Sequence, residues 1–63
     1  MKDVFTLHNN NDNYYLFPSR DIYILKYIKN KKEYTKEIQV KDVVMEMDNI
    51  EQETGKQFKV ITL

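Results

Sequence analysis

The sequence predicts an α+β fold: a small, mainly antiparallel β-sheet of about five strands with one helix packed on one face. Three observations lead there. Short stretches of β-branched and aromatic residues recur along the 63 residues, separated by clusters of Asn, Asp, Pro and Ser. Between residues 22 and 40 an apolar run and an alternating run are divided by Asn30-Lys31. That is the pattern of a hairpin whose first strand is buried on both faces. From residue 42 the apolar period becomes helical and stops at Gly55, the single glycine. The element order is β-β-β-β-α-β, in one domain spanning residues 1–63.

Residues 4–7, Val-Phe-Thr-Leu, read as the first strand. Residues 9–13 read as a turn or small loop, because Asn and Asp tolerate left-handed backbone and bond to their own chain. Residues 14–17 return as the second strand, which Pro18 closes because proline has no N–H for a ladder. Residues 19–21 connect to the third strand. An alternative makes Ser19 an N-cap and residues 20–29 a helix with Ile24, Leu25 and Ile28 on one side. The β-branched and aromatic residues Ile22, Tyr23, Ile24, Tyr27 and Ile28 favour the strand.

A two-residue turn at Asn30-Lys31 sets Tyr27 opposite Tyr34, Tyr23 opposite Ile38 and Leu25 opposite Lys36. Ile22, Ile24 and Ile28 then lie on the other face. A one-residue bulge would instead move Ile24 and Ile28 to the face of Tyr34 and Ile38. The helix spans 42–54, with Asp42 as N-cap, Gly55 as left-handed C-cap, and Val43, Met47, Ile50 and Thr54 on one side. These residues are expected to cover the isoleucine face. Val43-Val44-Met45 also suits a strand, which would move the helix start toward Asp48. Residues 56–63 form the last strand, with Phe58, Val60 and Thr62 on one face.

Composition narrows the function classes. A content of 41% hydrophobic and 32% charged residues fits a folded soluble domain. There is no cysteine, and His8 is the only histidine, so neither a disulfide nor a four-ligand structural zinc site can be built. No cofactor motif is present. The N-terminus has no signal-peptide core, and the longest apolar run, residues 22–28, contains Lys26 and is too short for a bilayer. A cytoplasmic location is expected. A domain of this length buries only about 60% of its unfolded surface, so a homodimer is also expected, through an exposed edge such as residues 56–63.

Net charge is zero, but the charges are sorted. Residues 20–41 carry seven cations and three anions, whereas residues 42–55 carry five anions and no cation. Exposed helices usually mix both signs for mutual pairing. The unmixed acidic run Glu46, Asp48, Glu51 and Glu53 therefore points to a protein partner, with the helix masking a basic site. Tyr15, facing outward beside the asparagine loop, is the expected aromatic anchor. The alternative is a nucleic-acid-binding module in which Lys29, Lys31 and Lys32 track phosphates and Tyr27 stacks on a base. Against it stand the single arginine and the ordinary use of lysines to keep a hairpin edge soluble.

No catalytic residue emerges. His8 has no local nucleophile or orienting carboxylate, and the acidic run lacks calcium-loop spacing. The expectation is a non-enzymatic regulator or inhibitor, without cofactor or metal. The Asn-, Lys-, Ile- and Tyr-rich composition suits an AT-rich genome, and with it a phage or mobile-element origin.

Overall fold

Strands of seven or eight residues joined by two-residue turns build most of the sheet in the computed structural model. It describes residues 3–62, with Thr62 as backbone only. The elements are β1 (Asp3–Asn9), β2 (Asp12–Ser19), β3 (Ile22–Lys29) and β4 (Lys32–Gln39). A single 3-10 turn (Val40–Asp42), helix α1 (Val43–Thr54) and strand β5 (Lys59–Thr62) follow. The sheet order is β4-β3-β2-β1-β5, with every neighbouring pair antiparallel. The first four strands form a meander, and α1 carries the chain across to pair β5 with β1 at the far edge.

The turns explain the even spacing. Asn10, Arg20, Asn30 and Lys31 have positive φ, at 56°, 60°, 54° and 65°. Two successive left-handed residues at Asn30-Lys31 make the hairpin turn whose twist matches that of the strands. Asn suits this backbone; Arg20 and Lys31 adopt it against their own preference. The polar stretch 9–13 is not a loop, since only Asn10 and Asn11 leave the ladder and Asn9 pairs with Asp12. The β3–β4 register is the one set by a two-residue turn: Tyr27 faces Tyr34, Leu25 faces Lys36 and Tyr23 faces Ile38.

Pro18 does not close β2 but lies within it, opposite Tyr23 on β3. The β1–β2 ladder ends at Phe5↔Leu16, and two residues further the same register sets Pro18 against Asp3. Proline has no N–H to offer the Asp3 carbonyl. The Tyr23 hydroxyl donates to that carbonyl instead, at 3.2 Å.

The helix covers the face opposite to the one expected. The buried core is Phe5, Leu7, Tyr14, Leu16, Tyr23, Leu25, Ile38, Val43 and Ile50, with Tyr27, Met47 and Phe58 packed against it. Alternation along four strands gathers the leucines and most of the tyrosines on one face, and α1 lies there. Ile22, Ile24 and Ile28 are on the other face and only partly buried, so β3 is not a strand buried on both sides. The register decides this, because the largest continuous apolar surface available to the helix is the Leu/Tyr face.

Within α1, Val43 and Ile50 are buried and Met47 half-buried, as the spacing predicts. Asp42 occupies the N-cap position but makes no side-chain cap hydrogen bond. Gly55 adopts the left-handed C-cap at φ 72°, its N–H donating to the Glu51 carbonyl at 2.8 Å. The Thr54 hydroxyl donates to the Ile50 carbonyl at 2.8 Å. β5 begins at Lys59 rather than at residue 56, and Val60 is largely exposed. The Thr62 side chain and Leu63 lie outside the described residues.

Apolar contact, not ion pairing, holds the helix down. Lys36 Nζ meets Glu46 Oε1 at 3.0 Å, and Lys29 meets Glu53, but both lysines are roughly half exposed. Exposed pairs contribute about 0.2–1 kcal/mol. Removing the buried Ile50 side chain to alanine should cost about 2–4 kcal/mol. Denaturant titration is expected to show Ile50→Ala far less stable than the Lys29→Met/Lys36→Met double variant; equal losses would refute this ordering.

Candidate functional site

The acidic helix presents two different sides. Glu46 and Glu53 flank its packed stripe and turn toward the sheet, where they meet Lys36 and Lys29. Glu51 turns toward the following connector, its Oε2 accepting the Phe58 N–H at 2.8 Å. The helix thus finds its missing cations on β3 and β4, a pairing that helix spacing alone could not reveal. Asp48 is exposed and makes no ion pair among the described residues. Beside it Val44 and Met45 stand 69% and 58% exposed, and Val40 just before the helix is also exposed. The outward side of α1 is therefore apolar at its start and acidic at Asp48. The sequence reading puts Val44 and Met45 in the helix over 42–54, with a strand at 43–45 as the alternative, but looks only to that helix's acidic residues for a partner and so misses these two as surface residues.

Tyr15 is not part of this surface. It alternates with the buried Tyr14 and Leu16 and lies on the open face of the sheet, on the side away from the helix. A shallow concavity of about 560 Å³ there is lined by Val4, Tyr15, Phe17, Lys26, Ile28 and Glu33. Lys26 Nζ meets Glu33 Oε1 at 3.1 Å.

The basic hairpin is mostly committed within the chain. Tyr27 is stacked on both sides, against Tyr14 at a centroid distance of 5.6 Å and against Tyr34 at 4.9 Å. Neither ring face is left for a base. Lys29 is tied to Glu53, whose hydrogen bond and charge hold the lysine pKa above its ordinary value. Lys31 and Lys32, at the hairpin tip, remain exposed without an ion pair among the described residues. A groove of about 330 Å³ beside these tyrosines is bridged by the Lys29–Glu53 and Lys36–Glu46 pairs.

His8 is exposed, hydrogen-bonded through Nδ1 to the Asn13 side chain and edge-on to Tyr15 at 6.0 Å. Among the described residues no three His, Asp or Glu side chains gather as a metal site. No helix among them is long and apolar enough to cross a membrane. Burial raises the pKa of Tyr14 against the opposing charge of Lys29, and raises that of Tyr23 with the Asp3 charge adding to the effect. Compared with protein-family models, with characterised proteins and with solved structures, the chain matches none.

Proposed function

We propose that this chain is a non-enzymatic protein-interaction module, a regulator or inhibitor that docks on a protein partner through the outward side of α1. One observation carries the reading: Val44 and Met45 stand in water beside Asp48, on a helix with no cation of its own. Exposed apolar side chains next to a carboxylate without an ion pair fit a partner surface with an apolar centre and a basic rim. Glu46 and Glu53 are engaged with Lys36 and Lys29, and Glu51 with the Phe58 N–H, so Asp48 supplies the free charge and Val44 and Met45 the buried contact. The partner is basic and the docking masks its basic site. A compartment inside the cell and a phage or mobile-element origin accord with this reading.

The test is a capture from host lysate, with and without nuclease, by the wild type and two variants. The Val44→Lys/Met45→Lys/Asp48→Lys variant is expected to lose a stoichiometric basic protein that the wild type retains after nuclease treatment. The Lys31→Ala/Lys32→Ala variant should retain it. Material lost on nuclease treatment, and reduced by the lysine variant alone, would overturn the reading in favour of nucleic-acid binding.

A further inference from the structure

We infer that the open face of the sheet is where a second copy of this chain docks, face to face, about a two-fold axis running along the strands near β2. The surface is separate from the outward side of α1, so the inference does not depend on the proposed partner.

The composition of the face calls for a cover. Register places Ile24 beside Phe17, and Val4 beside Ile61, in one row across β3, β2, β1 and β5. Ile22 and Ile28 extend it along β3, and Tyr15 stands next to Phe17 on β2. Tyr15 is 36% and Ile61 47% exposed. An antiparallel sheet facing water usually alternates apolar-in with polar-out, whereas this one carries an apolar row, Val4, Phe17, Ile24 and Ile61, on its open side as well.

Area is sufficient for a copy of itself. The largest face of a molecule measuring 29 × 21 × 20 Å offers roughly 500–600 Å². Two such faces bury about 1,000–1,200 Å², at the lower bound of specific interfaces. Sheets stack at about 10 Å with their strands nearly aligned, the arrangement of a β-sandwich.

Charge selects both the occupant and the axis. On the open face the anions Glu33 and Glu37 lie on the edge strand β4, and the cation Lys59 lies on the opposite edge strand β5. Lys26 on β3 is already paired with Glu33. Glu37 and Lys59 make no ion pair among the described residues. A two-fold along the strands lays β4 of one copy over β5 of the other, so Lys59 of the second copy falls between Glu33 and Glu37. A two-fold across the strands would lay β4 over β4 and set glutamate against glutamate. The first arrangement is the self-complementary one. It puts Phe17 and Tyr15 against their own counterparts at the centre, where aromatic anchors contribute most. It also leaves the two helices on the outer sides of the assembly.

Sedimentation velocity over a micromolar to millimolar range tests this, with circular dichroism to verify folding. The wild type is expected to pass from monomer to dimer. Phe17→Lys, at the centre, and Ile61→Lys, at the exposed edge where it carries little of the fold, should each weaken the dimer by about tenfold or more. Lys59→Glu should weaken it too, and Lys59→Glu combined with Glu33→Lys/Glu37→Lys should restore it. A wild type that is monomeric throughout overturns the inference. So does a dimer that survives both Phe17→Lys and Ile61→Lys, which would point to pairing along a strand edge. Failure of the charge reversal to restore a dimer lost in Lys59→Glu would overturn the axis.

Discussion

Tyr23→Ala is expected to leave the chain largely unfolded at room temperature. Tyr23 is only 1% exposed, packs against Phe5 at a ring-centroid distance of 6.3 Å, and faces Ile38 across the β3–β4 ladder. Truncating a buried aromatic to alanine costs about 3–5 kcal/mol. A domain of this length is stable by roughly 3–9 kcal/mol in total, so the loss takes most of it. Tyr23→Phe separates packing from the hydroxyl. It removes only the hydrogen bond to the Asp3 carbonyl, the one beside Pro18, and should cost about 1 kcal/mol.

The same residue gives the fold an alkaline limit. Burial, with the Asp3 charge as the smaller cause, raises the Tyr23 pKa above its ordinary 10.0. Below pH 10 both folded and unfolded chains hold this proton, and the contribution is fully present. Above it the unfolded chain releases the proton first, so stability falls as pH rises through the folded value. Tyr14, raised by burial, and Lys29, raised by Glu53, act in the same direction. Chemical denaturation between neutral and strongly alkaline pH should show a fall that is shallower in Tyr23→Phe than in the wild type. An equal slope would place the alkaline loss elsewhere.

Local signals account for what was legible in the sequence. A two-residue turn at Asn30-Lys31 predicts the observed pairing of Tyr23, Leu25 and Tyr27 with β4, while the alternative of a one-residue bulge stayed open until the strands were seen together. Gly55 and the spacing of Val43, Met47 and Ile50 fixed the helix and its packed side. The misreadings needed information from several strands at once. Which face of β3 the helix covers depends on where Phe5, Leu7, Tyr14 and Leu16 point, and that follows only after three registers are chained together. Pro18 inside β2 was illegible because a hydroxyl five residues away in sequence, Tyr23, takes over for the missing N–H. The acidic run looked unpaired because its cations, Lys29 and Lys36, come from strands rather than from the helix. Tyr15 was correctly read as outward, but sequence alone does not put it on the side of the sheet away from the helix it was grouped with.

The second large effect comes from Leu25→Lys, and its neighbour Ile24→Lys makes it diagnostic. Leu25 is 3% exposed in the core of the face that α1 covers. A lysine there loses the apolar packing, at about 3–5 kcal/mol, and must push its ammonium through the core toward Glu46 and Glu53 at the rim of the groove that Leu25 lines, which together take most or all of the stability of the domain. Ile24 lies on the open face between Phe17 and Glu37. A lysine there can run its stem over Phe17 and reach water beside Glu37, so the folded chain should lose no more than about 1–2 kcal/mol.

The two faces of the sheet are unlike, one sealed by the helix and the other open, and the docking of a second copy on the open face depends on that difference. Thermal unfolding of Ile24→Lys and Leu25→Lys, followed by circular dichroism side by side, measures that difference with adjacent residues and one substitution. The expected result is a cooperative transition in Ile24→Lys and none in Leu25→Lys. A folded Leu25→Lys beside an unfolded Ile24→Lys would put the helix on the isoleucine face and contradict the account.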